Sequence, residues 1–126
     1  PVEMTEEIDD SDAAHPIYLI DRIVVAPGAG EDFLRLYRDE YLPKAEARGI
    51  RVATILVHPP LWLDDESNTI TAILTVDDVV GWWAAARAGR HDSALAAWWE
   101  GVAPLIVDRV REWAADGTEL GALARV

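Results

Sequence analysis

The sequence predicts a single α+β domain, a ferredoxin-like β-α-β-β-α-β unit whose four strands form one antiparallel sheet. A chain of 126 residues has room for one domain of ordinary size. Four segments rich in β-branched and aromatic residues are separated by helical patterns in that order. Both faces of the predicted strands are apolar, whereas two helices can cover only one face. We therefore expect a homodimer in which a partner sheet covers the other face.

The first half of the chain predicts a strand, a helix and a second strand. The segment Ile17 to Val25 is β-branched and ends at a proline and glycines, which is typical of a strand followed by a turn. A helix follows from Glu31 to Gly49, with acidic residues in its first turn and apolar residues at helical spacing. Pro43 is expected to bend or interrupt this helix. The second strand runs from Ile50 to His58, where two prolines end it.

The second half repeats this pattern after a hairpin. Turn-forming residues connect the second strand to a third, Thr69 to Val76. Asp77 or Asp78 caps a helix that runs through Ala88. A polar loop precedes another helix, Ser93 to Ala103, and the proline that follows breaks it. Leu105 to Trp113 therefore reads as the fourth strand.

The composition excludes several classes of protein. A formal net charge of −12 argues against nucleic-acid binding, and the chain has no cysteine for a disulfide or a thiolate metal site. No apolar run approaches the ~20 residues of a membrane span, and the acidic beginning is unlike a secretory signal, so we expect a cytoplasmic protein. Residues 1–14 carry six acidic side chains and no basic one. They predict a flexible acidic tail, followed by a domain at 15–116 and a C-terminal extension at 117–126.

The strand and turn YLIDRIVVAPG, the helix EDFLRLYRDEYLP and a closing RG occupy Tyr18 to Gly49. This segment resembles the NIPSNAP-like group of the dimeric α+β barrel superfamily, and the later WW, RHD and WW resemble small actinobacterial members of it. The resemblance implies a dimeric α+β barrel with a pocket between sheet and helices. Superfamily members include polyketide cyclases, muconolactone isomerases and cofactor-independent monooxygenases, most of which need no metal or organic cofactor. NIPSNAP-like sequences commonly have an arginine where this chain has Asp21, so an activity tied to that arginine does not carry over.

The densest polar cluster lies in the predicted loop between the two tryptophan-bearing helices. Histidine is a common proton-transfer group, so His91 is a candidate acid or base, and Asp92 can orient it. Arg87 or Arg90 can hold a ligand or stabilise a developing oxyanion. The alternative is a solvated loop in which Asp92 caps the following helix.

Two further candidates lie on strands. His58 ends the second strand next to a proline and is another acid or base candidate. Asp21 interrupts an apolar strand face, where an isolated ionised carboxylate is costly to bury. Either Asp21 pairs with Arg109 or Arg111 of the fourth strand, or its pKa is raised and it acts as an acid or base. Three histidines without a helically spaced His-Glu pair predict no metal site.

The chain also carries six tryptophans, four of them in adjacent pairs. Neighbouring helical residues point ~100° apart, so one member of each pair can face the core and the other a cleft or a partner. Aromatic residues either fill the core and dimer interface or form a pocket wall for a planar ligand. The candidate wall residues are Tyr37, Tyr41, Trp62, Trp82, Trp83, Trp98 and Trp99.

These observations lead to three functional hypotheses. The first is a small cofactor-independent enzyme that binds an apolar cyclic or aromatic metabolite and performs acid/base chemistry, such as isomerisation, cyclisation or elimination. The second is a ligand-binding or interaction protein without turnover. The third is a cofactor-independent monooxygenase with the same type of pocket.

Overall fold

The computed structural model describes residues 15–118, 123 and 125, so the predicted acidic tail at 1–14 and most of the predicted extension lie outside the described residues. The four strands are β1 (Ile17–Val25), β2 (Arg51–His58), β3 (Thr69–Val76) and β4 (Ile106–Ala115). They form one antiparallel sheet in the order β2-β3-β1-β4. This order places the two central strands between two edge strands and confirms the ferredoxin-like prediction.

The helix between β1 and β2 continues through its proline. It consists of α1 (Gly30–Leu36), a π-helical turn (Tyr37–Tyr41) and α2 (Leu42–Ala47). The N–H of Leu42 donates to the carbonyl of Tyr37, five residues back, instead of four. Pro43 has no N–H to donate and its ring crowds the preceding turn, so the wider turn accommodates it. The expected irregularity therefore takes the form of a π turn just before the proline.

The second helical layer contains α3 (Val79–Arg90) and α4 (Ser93–Val102), followed by a 3₁₀ turn (Ala103–Leu105). Asp78 caps α3, because its Oδ1 accepts a hydrogen bond from the N–H of Gly81 at 2.7 Å. The prediction that this helix ends at Ala88 was two residues short. Arg87 and Arg90 are therefore helical, and only two residues separate α3 from α4.

The core lies between the helices and one face of the sheet. Burial is nearly complete along that face of both central strands and along the inward side of α1 and α2. The aromatic centre of this layer is made by Phe33, Tyr37, Tyr41 and Trp98. Within the described residues no helix is both long and apolar enough to cross a lipid bilayer.

The other face of the sheet carries no helix from residues 15–118. Its half-buried residues include Tyr18, Ile20 and Ile73, and Leu56 on the edge strand is 45% exposed. Threonines and the exposed pair between Arg22 and Glu112 interrupt the apolar surface, so this face is less uniformly apolar than β1 alone suggested. Strict alternation also fails in β2. The register shifts between Val52 and Thr54, which brings Val52 opposite Leu74 on the helix side.

Candidate ligand cavity

Asp21 lies fully buried at the centre of β1 and is held by both arginines of β4. Arg111 donates from Nε to Oδ1 and from Nη2 to Oδ2, each at 2.7 Å, in a bidentate pair. The nearest guanidinium nitrogen of Arg109 lies 3.7 Å from Oδ1, and the Tyr37 hydroxyl donates to Oδ2 at 3.1 Å. Of the two alternatives for Asp21, the structure therefore shows the ion pair.

Burial and charge set the protonation of this cluster. Burial raises the pKa of Tyr37 far above its usual range, and the Asp21 carboxylate raises it further. Burial alone lowers the pKa of Arg111, but the hydrogen bonds and charge of Asp21 outweigh it, so the pKa is raised overall. The pKa of Arg109 is lowered by burial, which Asp21 opposes. A neutral phenol and a fully charged Arg111 therefore face the carboxylate.

Four of the aromatic candidates surround this cluster in the core. The rings of Tyr37 and Tyr41 stack at 4.8 Å, and the Tyr41 hydroxyl accepts a hydrogen bond from Arg111 at 2.7 Å. Trp98 is buried and donates from Nε1 to Glu40 at 2.8 Å. Arg109 lies 3.5 Å above the ring of Trp99, a cation–π contact. These side chains fill the core and position the two arginines, with the tyrosines fully buried.

A cavity of about 260 Å³ lies beside the cluster, between the sheet and α3. The sheet contributes Leu19, Arg111 and Trp113 to its lining, and the segment around the end of α2 contributes Arg48 and Ile50. The helices contribute Trp82, Ala85, Ala86, Gly89 and Leu95. The indoles of Trp82 and Trp113 stack at 4.6 Å with 16° between their planes. Arg111 therefore belongs to both the buried ion pair and the cavity wall.

The polar candidates from the α3–α4 region lie outside this lining. Asp92 is the N-cap of α4, where its Oδ1 accepts hydrogen bonds from the N–H groups of Ala94 and Leu95. Arg87 and Arg90 occupy the exposed last turn of α3, where positive charge favours the helix dipole. His91 is exposed at the end of the same helix.

His58 lies on the face of the sheet that has no helices. It is opposite Thr69 in the register, and its Nε2 is 3.2 Å from the hydroxyl of Thr71. The side chain is exposed and does not line the cavity. The structure thus separates His58 and His91 from each other and from the cavity.

The remaining aromatic candidates have different surroundings. Trp82 lines the cavity, and the half-exposed Trp83 meets it edge to face at 4.6 Å. Trp62 lies in the connection between β2 and β3 and packs on the backbone of α1. A Cβ atom added to Gly30 would lie only 2.9 Å from its ring. Trp62 does not line the cavity.

Of the four charged or aromatic lining residues, three were not predicted as ligand contacts: Arg48, Arg111 and Trp113. The pairing of β4 with β1 places Arg111 opposite Asp21 and Trp113 opposite Leu19, on the helix face. Alternation along β4 was thus a signal that could have identified two of them. Within 15–118, 123 and 125, no group of three or more His, Cys, Asp or Glu side chains is placed to hold a metal ion.

Comparison with known proteins relates the chain to solved structures. No protein-family model and no curated protein matches it. A NIPSNAP-like domain protein from Burkholderia xenovorans is 10% identical with a TM-score of 0.66, over 84% of this chain and 89% of that chain. A NIPSNAP family protein of unknown function from Agrobacterium tumefaciens strain C58 is 13% identical with a TM-score of 0.64, over 82% and 89%. A dimeric ferredoxin-like protein of unknown function from Thermobifida fusca YX is 18% identical with a TM-score of 0.50, over 82% and 92%. These similarities concern the fold alone: the chain has the ferredoxin-like fold that is also seen in these NIPSNAP-family structures.

Proposed function

We propose that this protein binds a small apolar cyclic or aromatic metabolite in the cavity between the sheet and α3. The observation that carries the proposal is the cavity itself, with apolar walls from both layers and a flat indole surface from Trp82 and Trp113. Apolar pockets with few polar groups are typical of small-molecule sites. A volume of about 260 Å³ is slightly below the roughly 300 Å³ at which drug-sized pockets begin, so a single-ring compound fits best.

The test fills the cavity from its helical side. Ala86→Leu places a larger side chain in the lining, and leucine supports a helix nearly as well as alanine. The exposed Ala84 on the same helix does not line the cavity, so Ala84→Leu is the matched control. We expect single-ring compounds to shift cavity-residue NMR signals in wild type and Ala84→Leu, and at least about tenfold more weakly in Ala86→Leu. Equal binding by all three folded chains would refute the proposal.

Acid/base catalysis on the same ligand is the second candidate. The arginines at the cavity favour it, since a guanidinium can stabilise a developing enolate. Such an enzyme also needs a proton-transfer group, and the described lining holds neither a histidine nor a carboxylate. Binding without turnover is therefore our first proposal. Deuterium uptake next to the carbonyl of a bound ketone in D₂O would favour catalysis, particularly if Ala86→Leu, which fills the cavity, abolishes it and Ala84→Leu does not.

We also propose that the chain forms a homodimer through the sheet face that lacks helices. That face leaves Ile20, Ile73 and Leu56 partly exposed, and a second sheet would cover them. The protein from Thermobifida fusca with this fold is described as dimeric. The cavity lies on the opposite side of the sheet, so a sheet-to-sheet dimer leaves it open to ligand.

A further inference from the structure

We propose that the ligand of this cavity is a carboxylate on a single apolar ring, with its anionic group between the guanidinium groups of Arg48 and Arg111. This inference rests on the proposed function, because it names the class of compound that the cavity binds. Three features of the cavity support it: the surrounding charges, the unused hydrogen-bond donors and the shape of the walls.

The charges around the cavity are unbalanced. The part of the lining that the structure describes contains Arg48 and Arg111 and no acidic side chain. Asp21 is the carboxylate that neutralises Arg111, and it is shared with Arg109 at 3.7 Å. Three guanidinium groups, each with a positive charge, thus lie in this region with one buried carboxylate. In a chain of net charge −12 this is a local positive excess, at a place where an apolar wall strengthens electrostatic attraction.

Arg48 has a donor that the protein does not use. Its Nη1 donates to the carbonyl of Lys44 at a long 3.4 Å. Its Nε is buried and, among the described residues, has no hydrogen-bond partner. A buried donor left without a partner is destabilising, and an anionic oxygen would satisfy it. Gly89 of α3 packs against this nitrogen, because a Cβ atom added to it would lie at an ordinary contact distance of 3.7 Å.

Arg111 presents a second donor in a fixed position. Its Nε and Nη2 are engaged by Asp21 and Tyr41, whereas within the described part of the chain Nη1 makes no hydrogen bond. The bidentate pair already orders the Arg111 side chain. The side chain therefore loses little conformational entropy when a ligand binds its Nη1. The planar guanidinium matches a carboxylate in geometry as well as in charge.

The rest of the cavity limits the ligand to one that is otherwise apolar. Apart from the two arginines the lining is made of aliphatic side chains, a glycine and the stacked indoles of Trp82 and Trp113. The volume of about 260 Å³ leaves room for one ring. A second charged or strongly polar group on the ligand would meet apolar walls and lose its hydration without replacement.

The experiment compares benzoate with its neutral isostere benzamide by calorimetric titration. We expect wild type to bind benzoate at least about tenfold more tightly, because charge-assisted hydrogen bonds to two guanidiniums are lost with the amide. Arg48→Gln should abolish most of this preference, and Arg48→Lys should restore part of it. Arg38→Gln is the control, because Arg38 is an exposed arginine paired with its neighbour Asp39.

The outcomes separate this inference from the proposed function. Equal affinity for benzoate and benzamide in wild type, or a preference that survives Arg48→Gln, would overturn the carboxylate proposal and leave the cavity as a binding site. Binding of benzamide that Ala86→Leu does not weaken would refute the cavity as the site, and with it both proposals. Tighter binding of phenyl phosphate than of benzoate would overturn the choice of carboxylate.

Discussion

At the scale of single residues, breaking the contact between Asp21 and Arg111 is expected to lower the free energy of unfolding. The carboxylate is fully buried and shares two short hydrogen bonds with the guanidinium. Arg111→Met would leave Asp21 with Arg109 at 3.7 Å as its remaining charged partner. We expect a loss of about 3 kcal/mol in the free energy of unfolding, the lower end for a broken buried ion pair. Urea unfolding followed by circular dichroism measures it.

Two controls make this prediction specific. Arg22→Met removes an exposed pair with Glu112, in which both side chains are more than half exposed, and should change stability by less than about 1 kcal/mol. In the double variant Asp21→Leu with Arg111→Met, the loss should be smaller than the sum of the two single losses. Additive losses would show that the two residues do not act as a pair.

Tyr37 gives the protein a pH dependence at alkaline pH. Burial raises its pKa above the usual 10.0, with a further contribution from Asp21. The folded chain then keeps a proton that the unfolded chain releases, so this stabilisation is complete below about pH 10 and decreases above it, by about 1.4 kcal/mol per pH unit. Denaturant unfolding between pH 9 and 11.5 measures how the free energy of unfolding falls as pH rises. We expect a smaller fall for Tyr37→Phe than for wild type and for Tyr18→Phe. An equal fall in all three proteins would contradict the assignment of this pH dependence to Tyr37.

At the scale of elements, the sequence predicted the strands best. The bounds of β1 and β3 agree with the prediction because β-branched runs end there at prolines, glycines or turn formers. The π turn at Tyr37–Tyr41 was not predictable as such, since Pro43 indicates an irregularity without saying which kind. The bulge in β2 was also missed, because Ala53 fits either face of a sheet and gives no local signal.

The cap of α4 can be tested separately from any catalytic role of Asp92. Two backbone N–H groups donate to its carboxylate, and an asparagine side chain can accept the same hydrogen bonds without a charge. We expect Asp92→Ala to lower the free energy of unfolding by about 1 kcal/mol and Asp92→Asn to lower it by much less. Thermal and urea unfolding provide the measurement. A turnover assay in which Asp92→Asn is inactive but stable would instead indicate that the charge itself matters.

At the scale of the whole molecule, the uncovered sheet face predicts self-association. Ile73 is half-buried near the middle of that face, opposite Ile20 of β1. Ile73→Glu would bury a charge in the proposed interface, so the dimer should weaken by at least about 100-fold. The control is Val80→Glu, which changes a valine on α3 that is 75% exposed. Sedimentation velocity should find a monomer for Ile73→Glu and a dimer for wild type and Val80→Glu. A monomeric wild type would refute the proposed dimer.

The proposed ligand cavity also forms at this scale, which explains how little of it the sequence could predict. Arg48, Trp82 and Trp113 come from three distant segments and meet only when the sheet closes under the helices. The partners of Asp21 were predictable, because strand alternation limits which charges can reach a buried carboxylate. Nothing local to Arg48 indicates that it reaches toward α3, since an arginine near a helix end is ordinarily explained by the helix dipole.

The π turn between α1 and α2 keeps the apolar sides of both halves of this segment directed at the core. Phe33, Tyr37, Tyr41 and Ala45 all face the core at intervals of four residues, a spacing that drifts around a regular helix by about 40° per step. The wider turn corrects part of that drift. A π turn contains one residue more than the α-helical turn that it replaces. Removing one residue from it, such as the exposed Asp39, would leave a regular helix in which these four side chains recur after four, three and four residues and still face the core. A chain with a regular helix here would therefore align with a one-residue gap and keep the same inward positions.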